Sequence, residues 1–273
     1  MEAAVAGLTI YPVKSCHGIS MLEARLGERG LERDREWMVV DTVGHFLSQR
    51  ELPRLALITP ALSDSRLELA APGMTTCAVS LDVRGPTRSV SVWRDTVSAT
   101  DEGDQVAGWL SEWLGRAARL VRFDPGTRRL CNPAYAGTSG AHTAFADAYP
   151  LLVISEASLA DLNHRLAIPL PMNRFRPNLV LSGIEAYDED HIGEIRFGRS
   201  ALKLVKPCTR CRTTTTDQAT AEVGIEPLRT LALYRRNDAL DGVTFGMNAI
   251  VAAGTDEIIS VGDRANCLLS FAD

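Results

Sequence analysis

Short β-prone runs separated by turn signals are the feature that most limits what this sequence can fold into. Leu8 and Ile10 alternate near the start of the chain, and residues 37–40 (WMVV) form a second β-prone run. Residues 41–44 (DTVG) predict a turn that leads into a third run at 45–47. Because side chains of a strand alternate between its two faces, runs of this length predict a strand-rich fold with one buried face.

One clear helical period closes the first part of the sequence. Its apolar residues recur at helical spacing: Val106, Trp109, Leu110, Trp113 and Leu114. Asp104 near the start and Gly115 just past the end mark the predicted helix boundaries. The polar stretch DPGTRR (124–129) follows, so we place a domain boundary between residues 125 and 126.

The second part mixes strands and helices. LLVIS (151–155) predicts a buried strand, after which Ser155 is placed to cap a helix whose apolar face holds Leu159, Leu162 and Leu166. Further strands are predicted at NLVLSG (178–183), EIRFG (194–198), ALKLV (201–205) and FGMNAIVAA (245–253), and a helix with a proline at its start at EPLRTLALYRR (226–236). The predicted fold class is therefore α+β and strand-rich, with domains at residues 1–125 and 126–273.

Composition excludes several classes of function. The 273 residues are 45% hydrophobic and 23% charged, with a formal net charge of −5, and no basic face of the kind that nucleic-acid binding needs is gathered anywhere. No apolar run approaches the roughly 18 residues of a membrane-spanning helix. The start MEAAVAGLTIYPVKSC lacks the order of a signal peptide. We therefore expect a cytoplasmic protein with neither nucleic-acid nor membrane partners.

The cysteines carry the sharpest chemical signal. Six of them are spread thinly, so we expect reduced thiols rather than a disulfide framework. Cys208 and Cys211 form a CxxC pair, but no second CxxC or HxxxH offers zinc ligands, and the pair does not open a helix beside a βαβ unit as a redox pair would. On spacing alone, an inert buried pair and a functional role are equally open.

A scatter of cationic and amide groups is the second chemical feature. It comprises Lys14, Ser15, Arg35, Arg176 and Asn178. An arginine fork and a mobile lysine together suit an anionic ligand. Taken one by one, each is more often a solvated or salt-bridged surface residue.

Seven motifs in order resemble one known family from end to end. They are YPVKSC (11–16), RDREW (33–37), SQRELPRL (48–55), LLVISEASLADLN (151–163), NRFRPN (173–178), KPCTRC with TTTTD (206–217) and VGD (261–263). The order resembles the MOSC family, and within it the proteins with an N-terminal β-barrel domain, a group that includes the mitochondrial amidoxime-reducing components and bacterial reductases of N-hydroxylated bases. The resemblance implies a β-barrel-like first domain followed by a MOSC β-barrel with peripheral helices.

The resemblance also implies a molybdenum cofactor, that is, molybdenum held by molybdopterin. Cys211 would be the catalytic thiolate ligand of the metal, a role suited to soft sulfur, and Cys208 would not be a ligand. The residues implied to hold the pterin and its phosphate are Lys14, Ser15, Arg35, Arg176 and Asn178. Thr209 stands where relatives usually have serine and keeps a hydroxyl or backbone contact, and Asp217 would order the cysteine loop.

Two departures from the family pattern affect these expectations. Ala148 and Tyr149 stand where the amidoxime-reducing proteins have a Thr-Ser pair, so only backbone contacts to the cofactor are expected there. The sequence has no C-x4-C-x2-C run for a plant-type iron-sulfur cluster. Electrons are therefore expected from an external protein of the ferredoxin, flavodoxin or cytochrome type.

The function implied is two-electron reduction of a small N-hydroxylated substrate, which makes the protein a molybdenum-cofactor-dependent oxidoreductase. The alternative is a cofactor carrier or sulfur-handling module without turnover, because MOSC domains also occur in cofactor sulfurases. Those sulfurases carry a pyridoxal-phosphate domain with no counterpart in these motifs. A third reading, a metal-free structural protein, predicts that the purified protein holds no molybdenum.

Overall fold

The computed structural model describes residues 1–82 and 85–270. The strands in these ranges are β1 Glu2–Ile10, β2 Ile19–Met21, β3 Glu23–Gly27, β4 Gly30–Leu31, β5 Trp37–Val40, β6 Thr59–Leu62, β7 Arg66–Ala70, β8 Cys77–Ser80, β9 Thr87–Val92, β10 Asp95–Asp101, β11 Arg119–Phe123, β12 Arg129–Leu130, β13 His142–Thr143, β14 Leu151–Ser155, β15 Leu179–Ser182, β16 Ile192–Phe197, β17 Ser200–Thr209, β18 Arg236–Asn237, β19 Gly242–Ala253, β20 Ile258–Ser260 and β21 Arg264–Leu269. The α-helices are α1 Asp104–Leu114, α2 Pro133–Ala136, α3 Glu156–His164 and α4 Leu228–Leu231, and 3-10 turns cover Pro53–Leu57, Met172–Arg174, Asp188–His191, Arg212–Thr215 and Asp238–Leu240.

Seven strands close into a barrel. Their order is β14-β15-β1-β21-β16-β17-β19, and β19 pairs back to β14, so the barrel has no free edge. Inward-facing apolar side chains such as Val5, Leu181, Ile195 and Ala249 fill the interior. The alternation of buried and exposed residues that the sequence predicted is therefore the inside and outside of this barrel.

A second core lies in the N-terminal half. The sheet β5-β11-β10-β9 and the smaller sheet β6-β7-β8 are joined by α1, whose apolar face is buried against Trp37 and Leu120. The helix ends at Gly115, which is in the left-handed conformation as predicted for the residue past a helix end. The predicted strand-rich α+β class, with few helices, is confirmed.

The barrel is not built from the second half of the chain alone. β1 pairs with β15 on one side and with β21 on the other, and β3 pairs with β20. The division at residues 125 and 126 stays a prediction about sequence domains. In space, β1 is one of the seven barrel strands, and the other six come from the second half of the chain.

Two predicted elements differ from those observed. Residues 45–47 form no strand and make only the isolated bridges Val40↔Phe46 and His45↔Ser91. The helix predicted at 226–236 is the single turn α4, because the chain must turn immediately to add β18 to the edge of β19. By contrast, Ser155 caps α3 as predicted, since its side chain accepts a hydrogen bond from the Ser158 amide. No helix in the described ranges is long and apolar enough to cross a bilayer.

Gly246 gives a test of barrel closure. Its φ of +76° is unfavourable for any residue with a side chain, and a Cβ there would lie 2.5 Å from Ile154 Cγ1 and 2.7 Å from the Val153 carbonyl, both on β14. Gly246→Ala should therefore lower the free energy of unfolding by about 2 kcal/mol or more, measured by urea denaturation.

Gly108 is the matched control. It lies on the exposed face of α1, and a Cβ there would meet nothing within 4 Å. Gly108→Ala should raise the free energy of unfolding by about 0.5–1 kcal/mol, because alanine favours helix. Equal midpoints for Gly246→Ala and wild type would contradict the closure argument.

Candidate active site

An open cleft with about 860 Å³ of empty space, including its solvent-facing part, takes its lining from both halves of the chain. All nine residues predicted for the site line it: Lys14, Ser15, Arg35, Ala148, Tyr149, Arg176, Asn178, Thr209 and Cys211. Residues far apart in sequence thus meet in one place.

The two cysteines of the CxxC pair have different surroundings. β17 ends at Thr209, and Cys211 then precedes the 3-10 turn Arg212–Thr215, which carries its side chain to the surface. All six cysteines fall in the described ranges, and Cys211 alone is exposed. Cys208 is half-buried, and Nη1 of Arg210 lies 2.9 Å from its sulfur. Both thiols line the cleft, and that of Cys211 is the more exposed.

Asp217 orders the chain that follows Cys211. One carboxylate oxygen accepts hydrogen bonds from the amides of Ala219 and Thr220, at 2.8 and 3.0 Å, and the other accepts one from Nη2 of Arg174 at 2.8 Å. Arg174 lies on the segment that also carries Arg176. Asp217 therefore links the cysteine loop to the arginine segment without touching the thiol.

Two arginines share one aromatic ring. The guanidinium carbons of Arg35 and Arg176 lie 4.3 and 4.2 Å from the ring centroid of Tyr11, which is itself buried. Both arginines have a left-handed backbone, with φ of 46° and 58°. Burial lowers the pKa of Arg176 to about 10 and raises that of Tyr11 to about 12. The π face of Tyr11 partly compensates two cations that would otherwise repel each other.

Asn178 positions Arg35 rather than facing the cleft with a free amide. Its side-chain oxygen accepts hydrogen bonds from Nη1 of Arg35 at 2.8 Å and from the Leu152 amide at 3.2 Å. Its side-chain nitrogen donates to the Thr9 carbonyl at 3.1 Å. The amide group thus bonds to Arg35 and to two strands of the barrel, β14 and β1.

Lys14 is held by the second half of the chain. Its ammonium group donates to the Phe145 carbonyl at 2.8 Å and pairs with the carboxylate of Asp147. Burial lowers the pKa of Lys14, and the charge of Asp147 opposes that shift. Ser15 next to it has a left-handed backbone, and its carbonyl accepts a hydrogen bond from Gln49 at 2.7 Å.

Positive charge in the cleft is only partly balanced by the protein. Among the described lining residues there are five cations, Lys14, Arg35, Arg50, Arg176 and Arg210, and one carboxylate, Asp147. The buried carboxylate of Asp34, outside the lining, pairs with Nη1 of Arg35 at 2.6 Å. The buried atoms Nη2 of Arg176 and Nε of Arg210 have no hydrogen-bond partner within the described part of the chain. A buried donor without a partner costs about 1–3 kcal/mol. The excess of positive charge in the lining fits an anionic ligand.

Comparison with known proteins matches two family models to this chain. A model of the MOSC N-terminal beta barrel domain matches residues 2–117, and a model of the MOSC domain matches residues 140–266. Mitochondrial amidoxime reducing component 2 of Rattus norvegicus is 38% identical over 246 residues, which cover 86% of this chain and 73% of the rat protein. Mitochondrial amidoxime-reducing component 1 of Homo sapiens is 36% identical over 258 residues, 90% of this chain and 76% of the human protein.

The chain belongs to the MOSC family. A solved structure of the YUAD protein from Bacillus subtilis aligns with 97% of this chain and 94% of that one at 13% identity, with a TM-score of 0.45. The two domain models and the amidoxime-reducing relatives confirm the family and the domain order that the motifs predicted.

Ala148 and Tyr149, named above as departures from the family pattern, both line the cleft. Ala148 is exposed. Tyr149 is buried against Cys131 and Ile250, and its hydroxyl has no hydrogen-bond partner within the described residues. Burial raises the pKa of Tyr149 to about 12. A cofactor contact at these two residues stays a prediction.

Among the lining residues of the MOSC cleft that sequence reasoning missed are Arg50, Trp93, Asp147 and Arg210. Arg50 and Arg210 stand inside motifs that identified the family, SQRELPRL and KPCTRC, so the motif itself was the available signal. Trp93 and Asp147 belong to no such motif. No three His, Cys, Asp or Glu side chains of residues 1–82 and 85–270 lie together as a metal site.

The acid dependence of stability tests the role of Asp217. Hydrogen bonds from the Ala219 and Thr220 amides, together with the charge of Arg174, hold the pKa of Asp217 below its usual value. A carboxylate with a lowered folded pKa stabilises the fold above the unfolded pKa of about 3.9, and this contribution is lost as the pH falls through the folded pKa. Asp217→Asn should therefore lower the free energy of unfolding by about 1 kcal/mol at pH 7 and by progressively less below about pH 4.

Urea midpoints measured across that pH range provide the readout. The control is Asp64→Asn, at an exposed position between β6 and β7. It should not change the midpoint at any pH. A deficit of Asp217→Asn that stays constant down to pH 3 would show that the carboxylate charge is not what orders the loop.

Proposed function

We propose that this protein is a molybdenum-cofactor-dependent reductase of small N-hydroxylated compounds, with Cys211 as the thiolate ligand of the metal. The observation that carries the proposal is an exposed thiol in a cleft whose five cations face one carboxylate. The names of the relatives, amidoxime-reducing components, support the type of substrate.

The donor set suits an anionic cofactor. Arg176 and Arg210 line the same cleft as Lys14 and Arg35, and arginine forks bind phosphate and carboxylate groups through paired hydrogen bonds. A thiolate at Cys211 adds a soft ligand of the kind that accompanies dithiolene sulfurs on molybdenum. A single protein ligand fits a metal whose other ligands come with the cofactor.

The bound cofactor would supply the two-electron reduction itself. Conversion of an amidoxime takes up two electrons and two protons, breaks the N–O bond and releases an amidine and water. The chain holds the reacting centre by the Cys211 sulfur and fixes the anion with Arg35 and Arg176, whose positions depend on Asn178 and Tyr11. The electrons come from an external electron-transfer protein in this proposal.

Two separate cysteine-to-serine variants test the assignment of Cys211 as the ligand of the metal. Cys211→Ser should lower benzamidoxime reduction by about 100-fold or more, because loss of even an outer partner of a metal site costs about 10- to 100-fold. It should also lower the molybdenum content, or change the electron paramagnetic signal of the metal. Cys208→Ser, three residues away, should keep both the metal and its signal.

The measurement uses protein from a host that makes the cofactor, elemental analysis for molybdenum, and a chemical electron donor. Full activity and an unchanged signal in Cys211→Ser would refute the assignment. A carrier without turnover predicts a different result: molybdenum and pterin bound to wild type, with no benzamidoxime reduced.

A further inference from the structure

Trp93 stands in a backbone conformation that tryptophan rarely adopts. It is the first residue of the two-residue turn between β9 and β10, since Val92 pairs with Asp95, and its φ is 57°. Turns of this kind favour Gly, Asn or Asp at such a position, because a large side chain is strained there. Its side chain is nevertheless 46% exposed, so burial in the core does not account for it.

Three neighbours fix the ring of Trp93 in the lining of the cleft. Its indole N–H donates to the Asp147 carboxylate at 3.0 Å, and its ring centroid lies 5.3 Å from that of Phe46. The guanidinium carbon of Arg50 lies 4.2 Å from the indole centroid. All four residues line the cleft that contains Cys211. A strained, solvent-facing aromatic ring held on several sides marks a functional surface.

We propose that Trp93 is the residue that selects planar aromatic substrates, by stacking against them where they enter the cleft; this rests on the reductase function proposed above. An indole face that is rigid before binding gains stacking contact without a large loss of conformational entropy. Compact aliphatic N-hydroxylated compounds have no ring to stack and gain nothing from this contact.

The charges around Trp93 also define the class of substrate. Arg50 lies over the indole and Lys14 lies 5.5 Å from the ring centroid of Phe46, so a cationic substrate is repelled. Asp147 is already engaged by Lys14 and by the indole N–H. The rim therefore favours a neutral, conjugated ring that carries the N-hydroxylated group, such as an aromatic amidoxime.

The decisive variant removes the indole ring of Trp93 without adding backbone strain to the turn. Trp93→Gly places a glycine where the turn favours one, so the protein should fold at least as stably as wild type. In the cofactor-loaded enzyme, the ratio of kcat/KM for benzamidoxime to that for acetamidoxime should fall about 3- to 10-fold, as expected for loss of one stacking contact. The change should lie mainly in KM, and Trp93→Phe should restore most of the preference.

The matched control is Trp113→Phe. Trp113 is buried in α1 and donates to the Arg54 carbonyl, and it does not line the cleft. This variant should keep the wild-type ratio. A ratio that is equal in wild type and Trp93→Gly would overturn the proposal.

A binding measurement separates this proposal from the reductase function. Of the four tryptophans, Trp93 alone is exposed, so benzamidoxime should quench the fluorescence of wild type and of Trp113→Phe but not that of Trp93→Gly. If loaded wild type reduces neither amidoxime, the reductase function fails, and the titration alone then decides the role of Trp93. Quenching that survives in Trp93→Gly would count against it.

The alternative partner for Trp93 is the planar pterin of the cofactor. In that case Trp93→Gly would lose molybdenum and pterin, and both amidoximes would slow equally. Unchanged molybdenum content together with a changed substrate ratio is the expected result, and loss of cofactor from the variant would overturn the assignment to substrate.

Discussion

The cleft depends on keeping several positive groups close together in a chain that is negative overall. Tyr11 makes this possible, since its buried ring accepts the guanidinium groups of both Arg35 and Arg176. The remaining imbalance, including buried N–H groups without partners, leaves the free protein poorly compensated at this point. An anionic cofactor would offset this positive charge. The free energy gained in doing so would contribute to the affinity of the protein for the cofactor.

Barrel closure explains why these groups meet. β1 lies between β15 and β21, so the chain that leaves it carries Tyr11 and Lys14 directly to the end of the barrel where β17 delivers Cys211. A buried pair of amides, Gln49 and Gln218, hydrogen-bonds in both directions at 2.9 and 3.0 Å and ties the two halves together. The site is therefore a property of the joined halves.

The sequence motifs predicted correctly that nine residues lie together at one cleft. They predicted less well which contacts each of these residues makes. Asn178 was expected to hold the cofactor, yet its amide is occupied by Arg35, Leu152 and Thr9. Arg210 and Trp93 were not singled out. The local sequence around a charged residue between two cysteines, or around a tryptophan in a turn, does not predict which residues it contacts. Hydrogen-bond partners come from distant segments, and no local pattern encodes them.

The sequence by itself determined the strand-rich class, the helix that ends at Gly115, the cap at Ser155 and the family, since periodicity, turn residues and ordered motifs are local signals. Only the tertiary structure decided that the first strand belongs inside the later barrel, and that Cys211 is more exposed than Cys208. The reason is physical: β1 pairs with strands more than a hundred positions later in the chain, and exposure depends on which segments pack against a residue.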